Sequence, residues 1–303
     1  MRPIRWAVQT NLGSADDVAK LTAFLERLGL PWVPLKVIPF DDTPPDVPSD
    51  GAVLFYGSTT LMRNVARDGR WDPGVFFDEA RFAFEALRDG YGPALLNAAS
   101  EVVAVGEFVS RDLDPEAEFF VRPAGDLKEF QGAVHTFGEL RGWRDGLSSS
   151  NGPLGLDTRI QVAPPLSIAT EWRTVVVDGR VVASSQYRSH GRLKVTGEVP
   201  PAVTAFAEEM AARYAPAPVF VLDVGEVEEG LRVVETNCFN SAGFYWCDLH
   251  AIVRAVNAYL RRAPRGCSAD ESRARQRLLF IRPGSKSRRT PGESPLRTSA
   301  VPE

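Results

Sequence analysis

The sequence predicts an α/β region followed by an α+β region, because the pattern of apolar residues changes along the chain. Over about the first 115 residues, strand-like stretches alternate with amphipathic helices, which is typical of a sheet covered by helices on both faces. From residue 118 onward, strands come as pairs joined by tight turns, which indicates antiparallel hairpins. We therefore predict an amino-terminal α/β domain over residues 1–117 and an antiparallel α+β domain over residues 118–262.

The elements of the first region follow from local signals. Residues 4–10 alternate like a strand, and Ser14 precedes a stripe of apolar residues at helical spacing that is closed by Gly29. The remaining predicted elements are strands over 32–39 and 52–56, a helix that begins at Ser58 and a helix over 77–87.

The second region contains two predicted hairpins separated by a helix. The first covers 171–188 and turns at Asp178 and Gly179, and the second covers 219–237 and turns near Gly230. Residues 263–303 mix Pro, Ser, Gly and Arg, which predicts a disordered basic tail. Further strands are predicted over 119–123 and 159–163, and helices over 202–214 and 249–262.

The composition of the chain argues against a membrane protein and against a fold held by zinc or disulfides. Hydrophobic residues make up 44% of the chain, and no apolar run approaches the roughly 18 residues that a membrane-spanning helix requires. We expect no membrane association, and because no secretory signal is visible we expect a cytoplasmic location. The three cysteines form no CxxC pair, which argues against structural zinc and against a disulfide framework.

Charge is distributed unevenly along the chain. The formal net charge is −4, but residues 261–303 carry eleven basic and four acidic side chains, so residues 1–260 hold −11. Nucleic-acid binding depends mostly on Lys and Arg that neutralise phosphates. We therefore expect no nucleic-acid partner for the folded part.

Several common catalytic motifs are absent from the sequence. There is no GxxxxGK[ST] loop, and Gly90 and Gly92 lack the third glycine of a dinucleotide-binding loop. There is also no G-x-S-x-G elbow, and the three histidines are scattered. A histidine-based zinc site and a catalytic triad therefore have little support.

The second hairpin carries the strongest chemical signal. A turn near Glu229 places Asp223 across from Glu235, with Asn237 two residues further on the same face. The Cβ atoms of directly opposed residues lie about 5 Å apart, and two carboxylates that close repel each other unless a cation compensates their charge. Carboxylate and amide oxygens suit Mg²⁺, which predicts a metal site; the alternative is an acidic, solvated hairpin face.

Three basic residues on the preceding elements are candidates for phosphate binding: Arg122, Lys128 and Arg173. Arginine binds phosphate in a bidentate manner, whereas lysine acts as a point charge. Glu171 shares a strand face with Arg173, so a simple ion pair is the alternative interpretation of these two residues. The loop over 148–155 is small and flexible enough to cover a nucleotide, or is only a linker.

The order of these residues resembles the ATP-grasp superfamily, and within it a compact prokaryotic and phage clade recognised by an arginine and lysines. The resemblance covers about residues 118–260. FFVRP followed by Lys128 is similar to the clade's first nucleotide-contacting segment, and VAPP over 162–165 is similar to the hinge whose backbone meets adenine. Arg159, and not a lysine, stands on the strand before this hinge.

The match is most specific at Asp223 followed by E-x-N, which has the residue types, order and spacing of the superfamily's Mg²⁺ triad. The resemblance implies a pre-ATP-grasp α/β domain followed by a two-lobed ATP-grasp unit that binds ATP and Mg²⁺. Arg173 is the catalytic residue that it implies. The implied metal ligands are Asp223, Glu235 and Asn237, and the implied cofactor-binding residues are Arg122, Lys128, Val162, Ala163 and Glu171.

The resemblance implies a ligase that activates a carboxylate as an acylphosphate and passes the acyl group to an amine or a thiol. The substrates expected are small molecules or peptides. Two alternatives stay open at this point: a phosphotransferase on the same fold, and a nucleotide-binding module without turnover. Fold analogy alone does not name a substrate.

Overall fold

Three β-sheets form the framework of the chain, whose computed structural model describes residues 4–13, 15–38, 41–124, 130–148 and 155–263. Ser14, Lys128, residues 149–154 of the predicted loop and the predicted tail from residue 264 lie outside these described residues.

The amino-terminal sheet is parallel, as the alternation of strands and helices predicts. Its elements are β1 Ile4–Gln9, α1 Ala15–Arg27, β2 Trp32–Leu35, β3 Ala52–Tyr56, α2 Thr59–Asp68 and β4 Asp72–Gly74. The strand order is β2-β1-β3-β4, and all five residues of β3 are buried, as expected for a parallel strand covered on both faces. The predicted start of α2 is confirmed, and Ser58 caps the helix, because its hydroxyl oxygen accepts a hydrogen bond from the Leu61 N–H at 3.3 Å.

The helix predicted over 77–87 is divided in the structure. It forms two helices, α3 Glu79–Phe82 and α4 Phe84–Tyr91, because Ala83 between them has an extended backbone. Phe82 and Phe84 are both buried. Residues two apart in a continuous helix do not share a face, so the break allows both rings to enter the core.

The second sheet is antiparallel and includes a strand from the segment 94–110, for which the sequence predicted no element. Its elements are β5 Glu101–Ala104, α5 Val105–Phe108, β6 Glu118–Pro123, β7 Ala133–Thr136, α6 Phe137–Ser148 and β8 Arg159–Ala163. The strand order is β5-β8-β6-β7. Because β5 pairs with β8, the boundary proposed at residue 118 falls between two strands of one sheet.

The third sheet contains both predicted hairpins and a further edge strand. Its elements are β9 Thr170–Val177, β10 Arg180–Ser189, β11 Arg192–Thr196, α7 Pro201–Arg213, β12 Val219–Val227, β13 Gly230–Cys238 and α8 Leu249–Arg262. All pairings are antiparallel, in the order β11-β10-β9-β12-β13. Asp178 and Gly179 both have positive φ, at 52° and 77°, which is the backbone of the two-residue turn predicted there.

The main core joins the first and third sheets. Buried apolar residues of β1 and β3 belong to the same cluster as those of β9 and β12 and of α7 and α8. A smaller core, which includes Phe108, Val121 and Phe137, stabilises the second sheet. Within the described residues, no helix has the length and apolar character needed to cross a membrane.

Candidate active site

A row of charged residues crosses the third sheet. Arg173 on β9 lies opposite Asp223 on β12, which in turn lies opposite Glu235 on β13. The predicted pairing of Asp223 with Glu235 is therefore confirmed. Directly opposed residues in an antiparallel ladder share a face, and this places the three side chains on one side of the sheet, with Asn237 two residues beyond Glu235.

Arg173 and Asp223 form a buried, bidentate ion pair. The Nε and Nη2 atoms of Arg173 donate to the two carboxylate oxygens of Asp223 at 2.9 and 2.7 Å, and the side chains are only 10% and 2% exposed. The Nη1 atom donates to the Gly243 carbonyl at 2.8 Å. Burial raises the pKa of Asp223 above its ordinary value, and the charge of Arg173 opposes that rise. Burial disfavours the charged form of Arg173, but Asp223 outweighs it and raises the pKa of the guanidinium.

Glu171 does not pair with Arg173, which was the alternative interpretation of these two residues. Its carboxylate accepts a hydrogen bond from the Tyr187 hydroxyl at 2.6 Å and another from Arg188 at 3.4 Å. Tyr187 lies where the β9–β10 register shifts between Gln186 and Arg188, so a β-bulge directs it toward Glu171. Burial, followed by the nearby carboxylates, raises the pKa of Tyr187.

Two tyrosines in contact with Arg173 were missed by the sequence reasoning. The rings of Tyr187 and Tyr245 stack with centroids 4.9 Å apart and an interplanar angle of 9°. The guanidinium carbon of Arg173 lies 4.8 Å from the Tyr245 centroid and 5.7 Å from that of Tyr187. A bulge and the positive φ of Tyr245, at 50°, produce this arrangement, and no local sequence pattern indicated either.

Arg122 connects the second and third sheets. It lies on β6, and its Nη2 atom is 3.2 Å from Oε1 of Glu235 on β13. Both side chains are partly exposed. Each of the two facing carboxylates therefore has an arginine partner, so their charge repulsion is already compensated without a metal ion.

A cavity of about 800 Å³ brings most of the predicted residues together. Its wall includes Arg122, Glu171, Arg173, Asp223 and Glu235. Three other predicted residues are buried and do not belong to this wall: Asn237, Val162 and Ala163. Where Val162 and Ala163 were expected, the wall is formed by residues 166–168 of the connection after β8. The side chain of Arg159 is exposed and lies 3.9 Å from Glu85, outside the same wall.

The donor set of the cavity fits a hard divalent cation. Asp223, Glu235 and Asn237 present carboxylate and amide oxygens, which are the ligands that Mg²⁺ prefers. Asn237 lies next to Asp223, because its Nδ2 atom donates to Oδ2 of Asp223 at 3.5 Å. Among the described residues, no cluster of three or more His, Cys, Asp and Glu side chains is close enough to bind a metal without other donors. A cation at this position would therefore complete its coordination with Asn237, water or phosphate oxygens.

Comparison with known proteins identifies the family and the fold of the chain. The family model described as "ATP-grasp domain, R2K clade family 3" matches residues 37–256. No curated protein matches the chain significantly. Among solved structures, the ATP-grasp ligase PsnB in complex with precursor peptide PsnA2 and AMPPNP is 15% identical, with 86% of this chain and 97% of that chain covered and a TM-score of 0.51.

Two further structures have the same fold at low identity. The RimK domain ATP-grasp protein from Sphaerobacter thermophilus is 15% identical, with coverage of 84% and 95% and a TM-score of 0.52. The D-alanine–D-alanine ligase from Bacillus anthracis is 11% identical, with coverage of 85% and 93% and a TM-score of 0.51. The family model spans most of the chain, and the resemblance inferred from the sequence is confirmed: the chain belongs to the ATP-grasp domain family, R2K clade family 3.

Proposed function

We propose that this protein is an ATP- and Mg²⁺-dependent ligase that joins a carboxylate to an amine or a thiol. The observation that carries the proposal is the cavity in which arginines of two sheets, Arg122 and Arg173, meet the carboxylates of Asp223 and Glu235. Cations for phosphate and hard oxygen donors for a metal are thus present in one site. Proteins of the same fold have been solved in complex with AMPPNP, with Mg and ADP, and with ATP.

The site residues predicted from the sequence have distinct proposed roles. Arg122 and Lys128 bind the phosphates of ATP, and Glu171 and the backbone of Val162 and Ala163 contact the rest of the nucleotide. Asp223, Glu235 and Asn237 would hold Mg²⁺, which would supply positive charge to the terminal phosphates of ATP. In this structure the negative charges of Asp223 and Glu235 are balanced by Arg173 and Arg122.

Arg173 is the proposed catalytic residue. An oxygen of the substrate carboxylate attacks the γ-phosphorus, and the bond to ADP breaks, which leaves an acylphosphate. An amine or thiol then attacks the acyl carbon, loses its proton, and displaces inorganic phosphate. Charge accumulates on the transferring phosphoryl group, and a fixed guanidinium beside it stabilises that charge without reorganisation. The contacts of Arg173 with Asp223, Gly243 and Tyr245 hold its guanidinium in place.

Product analysis tests the proposed reaction. The protein is incubated with ATP and Mg²⁺ in a mixture of small carboxylates, peptides and amines, and products are identified by mass spectrometry. We expect a condensed product with ADP and inorganic phosphate in equal amounts. A phosphorylated product without inorganic phosphate would identify a phosphotransferase, and nucleotide binding without any ADP would identify a binding module; either result contradicts the ligase.

Replacing Arg122 by alanine is expected to weaken ATP binding by about 10- to 100-fold and to leave adenosine binding unchanged. The reason is that a charge-assisted hydrogen bond to phosphate contributes about 1.5–3 kcal/mol, whereas adenosine has no phosphate. Calorimetry with both ligands measures the difference. Arg159→Ala on the neighbouring strand is the matched control, because this exposed arginine lies outside the cavity wall. Equal losses for ATP and adenosine in Arg122→Ala would assign Arg122 a structural role.

A further inference from the structure

The strand β11 forms an edge of the third sheet beside the cavity. It pairs with β10 on one side and is the outermost strand in the sheet order. The turn that precedes it, His190 and Gly191, is part of the cavity wall. A sheet edge presents backbone N–H and C=O groups that can pair with another strand. One end of any strand added along β11 would therefore lie at the cavity.

The side chains of β11 alternate between apolar and basic. Leu193 pairs with Arg188, which pairs in turn with Glu171 of the cavity wall, so Leu193 lies on the cavity face of the sheet. Val195, two residues on, shares that face. Arg192 pairs with Ser189, the neighbour of Arg188, and so lies on the opposite face. Lys194, two residues after Arg192, shares that opposite face.

The two apolar side chains of β11 are exposed, and so are two nearby aromatic residues, one of which lines the cavity. Leu193 and Val195 are 73% and 39% exposed, and Trp246 and Tyr245 are 67% and 38% exposed. Tyr245 is part of the cavity wall, and the Trp246 indole packs against Gly197, where a Cβ atom would lie 3.1 Å from the ring. Exposed apolar residues beside a cavity and an open sheet edge indicate an interaction surface.

We propose that β11 binds an extended peptide segment with alternating apolar and acidic residues, which adds to the third sheet as a sixth strand. Addition of a strand to a sheet edge takes its affinity from main-chain hydrogen bonds and its specificity from alternate side chains. Opposed side chains on neighbouring strands interact directly. The apolar residues of the peptide pack on Leu193 and Val195, and its Asp or Glu residues face Arg192 and Lys194.

This peptide is the segment of a substrate that positions its reacting group at the cavity, which rests on the proposed ligase function. A second copy of the chain fits the edge less well, because its own β11 would bring like charges together. The chain's sequence beyond residue 263 carries nine basic and four acidic side chains, so its net positive charge suits the basic face poorly. A peptide with alternating apolar and acidic residues can contact the apolar face and the basic face of β11 at the same time.

Peptide binding to the full chain tests the proposal. The probes are fluorescein-labelled, amino-terminally acetylated peptides with the repeats (Leu-Asp)4, (Leu-Lys)4 and (Ser-Asp)4, and binding is measured by fluorescence anisotropy. We expect (Leu-Asp)4 to bind most tightly. In the double variant Arg192→Glu with Lys194→Glu, its affinity falls roughly tenfold and (Leu-Lys)4 becomes the better ligand, since two cross-strand pairs change from attractive to repulsive. Arg254→Glu, at an exposed position of α8, is the control and keeps the original preference.

Three results would overturn the proposal. The first is equal binding of the three peptides, and the second is a preference for (Leu-Asp)4 that the charge-reversed variant retains. The third is a concentration-dependent dimer in sedimentation that Leu193→Asp abolishes, which would assign the edge to a second copy. ATP binding is measured in parallel on every variant. Peptide selectivity in a protein that never forms ADP would contradict the ligase function alone, and ADP formation without peptide selectivity would contradict only the peptide site.

Discussion

Replacing Asp223 by alanine is expected to destabilise the folded protein by about 3–5 kcal/mol. The variant leaves the guanidinium of Arg173, which is 10% exposed, without its buried carboxylate partner, and an uncompensated buried charge costs roughly this amount. The expected result is a lower urea midpoint with little change in the slope of the unfolding curve. It follows from the bidentate contacts at 2.7 and 2.9 Å and does not depend on any bound ligand.

A double variant separates the stability of this ion pair from its function. Arg173→Met combined with Asp223→Leu removes both charges and keeps similar volume, so most of the lost stability should return. ATP turnover should not return, because the variant lacks both the proposed catalytic arginine and a proposed metal ligand. If Asp223→Ala leaves the free energy of unfolding unchanged, the ion pair of Arg173 and Asp223 is not buried in the way that the structure shows. Turnover in the stable double variant would remove Arg173 and Asp223 from the reaction.

Replacing Glu235 by glutamine is expected to change the free energy of unfolding by less than about 1 kcal/mol. Its ion pair with Arg122 is partly exposed, and pairs of this kind contribute little to stability. Mg²⁺-dependent ADP formation should nevertheless fall by more than the roughly 10- to 100-fold that loss of an outer-shell partner costs, because an anionic ligand is lost. The measurements are the urea midpoint and the rate of ADP formation as a function of Mg²⁺ concentration.

The matched control for this variant is Glu226→Gln. Glu226 belongs to the same hairpin, but its side chain is exposed and its position lies outside the cavity wall. It should match wild type in both measurements. If Glu235→Gln also keeps the wild-type rate and the wild-type Mg²⁺ dependence, Glu235 is a partner of Arg122 and not a metal ligand. A loss of rate that excess Mg²⁺ restores would support a ligand role directly.

Much of the third sheet could be predicted from the sequence, because its determinants are local. The turn at Asp178 and Gly179 and the alternation on either side of it define β9 and β10. In the second hairpin, the turn pairs Val227 with Gly230, and a register shift between Asp223 and Val224 then sets Asp223 opposite Glu235. The sequence located the turn to within a residue, which was enough to predict the pair, but it did not indicate the shift.

The sequence was less informative where strands are short or pair over long distances. The segment 94–110 contains β5, four residues that gain their pairing from β8, more than fifty residues away. The helix predicted over 77–87 is broken at Ala83 so that two phenylalanines can be buried together. Such outcomes depend on the packing of the whole domain, which overrides local propensity.

The sequence alone determined the family, the hairpins and the residue types of the candidate site, because these depend on local spacing and on the order of a few motifs. The tertiary structure alone decided which charged side chains contact each other. It pairs Arg173 with Asp223 and not with Glu171, it joins Arg122 to Glu235 across 113 positions, and a bulge brings Tyr187 to Glu171. Partners in an ion pair are chosen by distance in the folded chain, and distances between strands of different sheets are set by packing that no local pattern encodes.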